Sequence, residues 1–136
     1  MEGFEYKNII PTLRCLFPAY MKEEEMNGFC SDEPGLYLTF LISYVGKGWN
    51  DLNTQSKLAE LMNKMIGSND ADVRNTFTDF ALDFYLHFEE HKLDNAQFMN
   101  KLLLPQTKHF IRDAANYWYR ANNEYIERQN EQDSNK

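Results

Sequence analysis

The residues with the clearest potential for chemistry are His87, Glu90 and His91, in the segment His87-Phe88-Glu89-Glu90-His91. Two histidines four positions apart lie on one face of an α-helix and can bind one zinc ion, with Glu90 between them as a general base. A catalytic zinc site also needs a third protein ligand and a substrate cleft. The alternative without a metal is a solvated helix end, where both imidazoles make local hydrogen bonds and His91 lies near the negative end of the helix dipole.

A second group of polar residues shares one face of the same predicted helix, within about 80° of arc: Asp72, Thr76, Asp79, Asp83, His87 and Glu90. Carboxylates that stack along a helix face repel one another. Such a face is either fully solvated or presented to a cationic partner. A third alternative is an internal ion pair that joins Asp79 or Asp83 to Arg112 or Arg120.

Two further groups are candidates for a partner-binding surface. The run Glu23, Glu24 and Glu25, together with Asp32-Glu33, predicts an exposed acidic edge near a loop, although most such runs are only solvated. Near the C-terminus the aromatic residues are typical interface anchors: Tyr117, Trp118, Tyr119 and Tyr125. Because three consecutive aromatic residues cannot all face one core, we expect Tyr119 to point outward while Tyr117 and Trp118 lie in the core.

The elements that must position these residues are all predicted to be helices. Apolar residues recur at helical spacing from Ile9 to Met21, interrupted by Pro11 and Pro18, which predicts a kinked helix or two short ones. The next helix should begin near Pro34, with Gly46 and Gly48 at its end. Its apolar residues predict one broad buried face: Leu36, Tyr37, Phe40, Leu41, Tyr44 and Val45.

Four more helices follow along the chain. One begins after Asn50-Asp51 and ends at Gly67, and the strongest covers about residues 70–91. That central helix has an apolar stripe made of Val73, Phe77, Phe80, Ala81, Phe84 and Phe88, and Leu82, Tyr85 and Leu86 widen its apolar surface. A short helix capped by Asp94-Asn95 precedes a long last helix that begins at Pro105. Its predicted stripe consists of Phe110, Ile111, Ala114, Tyr117, Trp118, Ala121 and Tyr125.

No segment alternates between apolar and polar residues, and no hairpin turn signal is present. We therefore predict an all-α fold, a single-domain irregular bundle of five to six helices, with HEAT-like stacking of helix pairs as one arrangement. The domain should cover residues 1–127, and the polar segment 128–136 should be a frayed tail.

Composition and charge limit the kinds of partner. The 136 residues carry a net charge of −7, whereas nucleic-acid binders normally present a basic surface, so binding to DNA or RNA is not expected. No apolar run is long enough to span a membrane, and the N-terminus is acidic where a signal peptide is basic, so we expect a cytoplasmic protein. The two cysteines, Cys15 and Cys30, match no zinc or redox motif, and no nucleotide-binding motif or cofactor is indicated.

Three stretches occur in an order and spacing that resemble a known family. These are Leu16-Phe17-Pro18, the segment from Val73-Arg74-Asn75 through Phe77 to Asp83, and the helix that begins at Leu103-Leu104-Pro105 and ends at Asn116-Tyr117-Trp118. Over about residues 8–120 the chain resembles a small all-helical bacterial domain family of uncharacterised function, whose members look like immunity proteins of interbacterial toxin systems. The resemblance implies protein binding and no catalytic residues.

The leading hypothesis is therefore a non-enzymatic immunity protein that neutralises a cognate toxin through an acidic surface. The predicted contact residues are Asp72, Asp79, Asp83, Glu90, Glu23, Glu24, Glu25 and Tyr119. Two alternatives remain, namely a helical adaptor or regulator of another protein, and a zinc-dependent hydrolase that uses His87, Glu90 and His91. The sequence leaves open the partner, the face that binds it and the oligomeric state.

Overall fold

The predicted all-α fold is confirmed by a computed structural model of the chain. The structure describes the backbone of residues 3–26, 28 and 32–134, and the side chains of residues 3–25, 28 and 32–123. A 3₁₀ turn, Tyr6–Asn8, is followed by α1 (Ile9–Leu16), α2 (Pro18–Met26), α3 (Pro34–Lys47), α4 (Leu52–Ile66), α5 (Ala71–Glu90), a π-helical turn (Phe98–Leu102) and α6 (Pro105–Ser134). The described residues contain no β-strand.

The first helical segment consists of two short helices that meet at Phe17. Pro18 separates them because the residue before a proline avoids the helical conformation. Pro11 does not interrupt α1, since it lies in the first turn, where a backbone N–H has no acceptor within the helix. Cys15 in α1 is an exposed, free thiol, and Cys30 lies outside the described residues.

Helix α5 is the centre of the bundle, and its predicted apolar stripe is buried at all six positions. Asp70 begins the helix, because its carboxylate accepts a hydrogen bond from the N–H of Asp72 at 2.9 Å. The same carboxylate accepts the backbone N–H of Tyr6 at 2.8 Å. One acidic side chain therefore both caps α5 and attaches the N-terminal segment to it.

An aromatic cluster packs around the C-terminal half of α5. The Trp49 ring lies 4.4 Å from Phe88 and 5.0 Å from Phe98, centroid to centroid, with edge-to-face geometry. Phe84 completes the cluster, 4.3 Å from Phe88. The indole N–H of Trp49 donates to the carbonyl of Asp94 at 2.7 Å, so the polar edge of this buried ring is satisfied. The cluster links the α3–α4 turn, α5 and the π-helical turn.

Helix α6 begins at a polar junction centred on Asn63 of α4. The amide oxygen of Asn63 accepts the N–H of Leu104 at 3.1 Å and the hydroxyl of the buried Thr107 at 2.8 Å. These bonds satisfy donors in the first turn of α6, which have no partner within the helix. The start of α6 is therefore fixed against α4.

Helices α5 and α6 run in the same direction. Phe77 stacks on Phe110 at 5.1 Å, and further along both helices Tyr85 packs edge-on against Tyr119 at 6.3 Å. The crossover through the π-helical turn returns the chain to the start of α5 before α6 begins. These two helices are therefore not a pair joined by a short turn, which is the unit that HEAT-like stacking requires.

The predicted stripe of α6 is wrong in its rotation. The buried line runs through Thr107, Ile111 and Ala115. It is turned toward Tyr119, which is half-buried, whereas Tyr117 is 76% exposed instead of lying in the core. Tyr125 lies outside the described side chains. The backbone is helical as far as Ser134, which includes most of the segment expected to fray, and the domain boundary stays a prediction.

Along the described residues no helix is both long enough and apolar enough to cross a lipid bilayer.

The turn after α5 contains a strained residue and provides a test of the fold. Lys92 has φ 54°, in the left-handed region, and the N–H of Leu93 donates to the carbonyl of Phe88 at 2.9 Å. This is the helix C-cap at which glycine is usual, because a Cβ atom is strained there. We expect the free energy of unfolding of Lys92→Gly to be about 1 kcal/mol higher than that of Lys92→Ala, so the glycine variant is the more stable one. Both variants lose the charge, so the comparison isolates the backbone. Urea titration measures the difference, and equal stabilities would contradict the assigned conformation.

Candidate protein-binding surface between α3 and α5

A groove of about 390 Å³ lies between α3 and α5, with Tyr6 at one side. The wall from α3 contains Gly35, Leu36 and Thr39, and the wall from α5 contains Asp79 and Asp83. Glu33, at the N-cap position of α3, adds a third carboxylate to the lining. The groove therefore joins part of the predicted α5 stripe with one residue of the predicted acidic edge.

Asp79 and Asp83 lie one helical turn apart, where like charges destabilise each other. Both side chains are exposed at the rim of the groove. The pKa of Asp83 is still raised above its ordinary value, first because partial desolvation disfavours the charged form and second because of the charge of Asp79. Among the described residues, no hydrogen bond or ion pair joins either carboxylate to a cationic side chain. The groove therefore holds negative charge that is not compensated within the described part of the chain.

The alternative of an internal ion pair with the last helix is not formed among the described residues. Arg112 lines a different cavity, with Tyr85 and Met99, on the α6 side of α5. Asp79 and Asp83 point toward α3, on another edge of α5. The parallel packing of α6 along the Phe77–Tyr85 edge places its arginines away from these carboxylates.

The other two acids of the α5 stripe lie outside the groove lining. Asp72 is exposed in the first turn of α5, where a negative charge interacts favourably with the helix dipole. Glu90 is exposed in the last turn, beside His87. The stripe predicted as one surface is therefore divided, and its middle two acids form the groove wall.

An exposed apolar ridge borders the groove along α3. The predicted broad face is right for Tyr37, Leu41 and Val45, which are buried, but the core side of α3 is rotated and also buries Leu38 and Ile42. Three residues at intervals of four positions are left at the surface: Leu36, Phe40 and Tyr44, with 42%, 46% and 36% exposure. The sequence analysis did not predict this ridge. Its signal in the sequence is that the apolar residues of α3 cover a wider arc than one buried face can hold.

The glutamates of α2 lie near the other border of the ridge. Glu25 forms an exposed ion pair with Arg14 at 3.2 Å, so one charge of the run is compensated. The pKa of Tyr20 is raised by burial and, to a smaller extent, by the nearby charge of Glu24. The Tyr20 ring in turn packs 5.1 Å from the ring of Tyr44. Glu23 is exposed.

Tyr119 is half-buried and its ring lies against α5, so it points outward less than predicted. Its hydroxyl donates a hydrogen bond to the carboxylate of Glu89, and its ring packs against Tyr85 and Trp118. The bond to Glu89 raises the pKa of Tyr119 to about 12. Tyr119 therefore connects α6 with α5. Tyr117 is the aromatic residue of this segment that is exposed.

The two histidines of the H-x-x-E-H segment are neighbours, with ring centroids 4.3 Å apart. The pKa of His87 is lowered, first by burial and then by His91, while Glu90 acts in the opposite direction. His87 packs against Gly46 of α3, where an added Cβ would come within 3.2 Å of Nε2. Within the described ranges, no group of three or more His, Cys, Asp or Glu side chains is arranged to hold a metal ion.

The fold and the groove together define a helical bundle with an acidic, partly apolar surface. Comparison with protein-family models, curated proteins and solved structures finds no match to this chain.

The raised pKa of Asp83 predicts how stability depends on pH. Above the raised pKa the ionised carboxylate costs the folded state free energy, and below the ordinary value of 3.8 the cost disappears because both states are protonated. We expect Asp83→Asn to raise the free energy of unfolding at pH 7 by about 0.2–0.5 kcal/mol. The gain should vanish near about pH 3.

Asp72→Asn is the matched control, because it removes an acid that the N-terminal dipole of α5 stabilises. It should lower the stability or leave it unchanged at pH 7. Thermal unfolding over this pH range measures both effects. A loss of stability in Asp83→Asn at pH 7 would show that the Asp83 charge is compensated after all.

Proposed function

We propose that this chain is a non-enzymatic protein-binding domain that neutralises a basic partner, most simply a toxin, in the manner of an immunity protein. The observation that carries the proposal is the pair Asp79 and Asp83, uncompensated within the described residues and placed in a groove beside exposed apolar side chains. The resemblance of the sequence motifs to an immunity family supports a toxin as the partner.

The net charge of −7 supports a basic partner. Opposite charges on two proteins raise the rate of encounter, and this steering weakens as salt screens the charges. Carboxylates at the binding surface also favour one partner over others through charge complementarity. An immunity protein benefits from fast capture, since its partner is harmful until it is bound.

Charge reversal in the groove tests which face binds. With the full chain as bait, we expect Asp79→Lys combined with Asp83→Lys to reduce the association rate with the captured partner by about tenfold at low salt. The difference from the wild-type chain should shrink as ionic strength rises. Asp72→Lys with Glu90→Lys is the control, since it reverses as many charges of α5 outside the groove lining.

Equal losses in both double variants would show a general charge effect and exclude the groove as the contact face. An association rate of the wild-type chain that does not change between low and high salt would contradict steering. Circular dichroism establishes that each variant keeps its helices.

Growth assays separate neutralisation from other kinds of binding. Expression of the captured partner alone should arrest growth, and co-expression of the wild-type chain should restore it. The groove charge-reversal variant should restore growth less well than its control. A captured partner that is harmless alone would contradict neutralisation and favour the adaptor alternative.

A further inference from the structure

The ridge Leu36, Phe40 and Tyr44 gives α3 a second apolar surface in addition to its core face. All three residues keep a large exposed area, although the Tyr44 ring also packs against Tyr20 of α2. The three residues follow the i, i+4, i+8 row, which is the row that packs into the groove of another helix. The ridge extends over about 12 Å, or roughly two helical turns.

From this arrangement we propose that the ridge and the adjoining groove dock an amphipathic basic helix of the partner protein. The inference rests on the proposed function and specifies the segment that is recognised. Apolar residues of the partner helix would lie on Leu36 and its neighbours, and an arginine or lysine along one border would enter the groove between α3 and α5.

Leu36 makes the two parts one surface. It belongs to the exposed ridge and it also lines the groove with Asp79 and Asp83. The only cationic residue of α3 is Lys47, at the far end of the ridge. A helix that lies along the ridge therefore meets carboxylates along one border, and only a basic border complements them.

Charge disfavours two other occupants. A second copy of this chain would bring another net charge of −7 and another pair of groove carboxylates to the same place. An anionic lipid surface would be repelled in the same way, because membrane binding of peripheral helices relies on basic residues. A partner helix with a basic border is the occupant that satisfies both the apolar and the charged parts of the surface.

The test uses three synthetic peptides added to the full-length ¹⁵N-labelled chain. The basic probe is an amphipathic helix with leucine at every third or fourth position and arginine along one border. In the second peptide glutamate replaces arginine, and in the third the basic sequence is scrambled. We expect only the basic probe to shift the amide signals of Leu36, Thr39, Asp79 and Asp83.

Variants of the chain test the two parts of the surface separately. Leu36→Ser should raise the dissociation constant of the basic probe about tenfold. Leu104→Ser is its control, an equally exposed leucine at the start of α6, with 44% exposure against 42%. Asp79→Asn with Asp83→Asn should weaken binding about fivefold, and more at low salt than at high salt.

Several results would overturn the docking mode. They are equal binding of the glutamate peptide, shifts that map outside the α3–α5 surface, no binding of the basic probe, or an unchanged affinity in Leu36→Ser. The partner assay of the previous section is independent of these probes. If Leu36→Ser still captures the partner at full affinity while the groove charge reversal does not, the docked helix is wrong and the proposed function stands.

Discussion

Aromatic packing around α5 fixes the direction of every other face of that helix. Phe77, Phe84 and Phe88 are buried and in ring contact with residues outside α5 or with each other. Because these rings interlock, α5 cannot rotate without opening the core. The positions at their flanks are then determined, with Asp79 and Asp83 toward α3 and with Tyr85 and Glu89 toward α6.

The acidic residues on the two sides of α5 differ in their partners. On the α6 side, the carboxylate of Glu89 accepts the hydroxyl of Tyr119 and joins the two helices. On the α3 side, Asp79 and Asp83 repel each other, and within the described chain no cation compensates them. Natural proteins retain such local costs where function requires them, since a surface suited to a charged partner is not the most stable surface alone. The groove carries this cost, which is why the proposed function is placed there.

The sequence was sufficient to predict α5 and insufficient to predict α3, for a physical reason. In α5 the apolar stripe is bordered by a continuous polar stripe, so one rotation is favoured even though Leu82, Tyr85 and Leu86 widen the apolar surface. In α3 apolar residues cover most of the circumference, and several rotations bury similar areas. Tertiary contacts decide between them, including Gly46, whose lack of a side chain lets His87 of α5 approach closely. The exposed ridge results from this choice: the wide apolar span indicates that some of these residues stay at the surface, but the spacing does not show which ones.

Other differences also arise from contacts distant in sequence. Trp49 lies in a turn, where no periodicity marks it as buried, although its ring is central to the aromatic cluster. Tyr119, and not Tyr117, faces α5, where its hydroxyl donates to Glu89, a residue distant in the sequence. Whether Arg112 could pair with Asp79 or Asp83 depends on the direction of α6, which the crossover through the π-helical turn sets.

The position of the ridge relative to the groove depends on the contacts of α3 with its two neighbours. On one side α3 meets α5 at Gly46 and His87, and on the other Tyr44 packs against Tyr20 of α2. Tyr20 is itself anchored, because its hydroxyl donates to the carbonyl of Tyr37 at 2.6 Å. Held on both sides, α3 keeps Leu36 beside Asp79 and Asp83 before any partner arrives. A preorganised surface loses little conformational entropy on binding, which favours the tight capture that the proposed function requires.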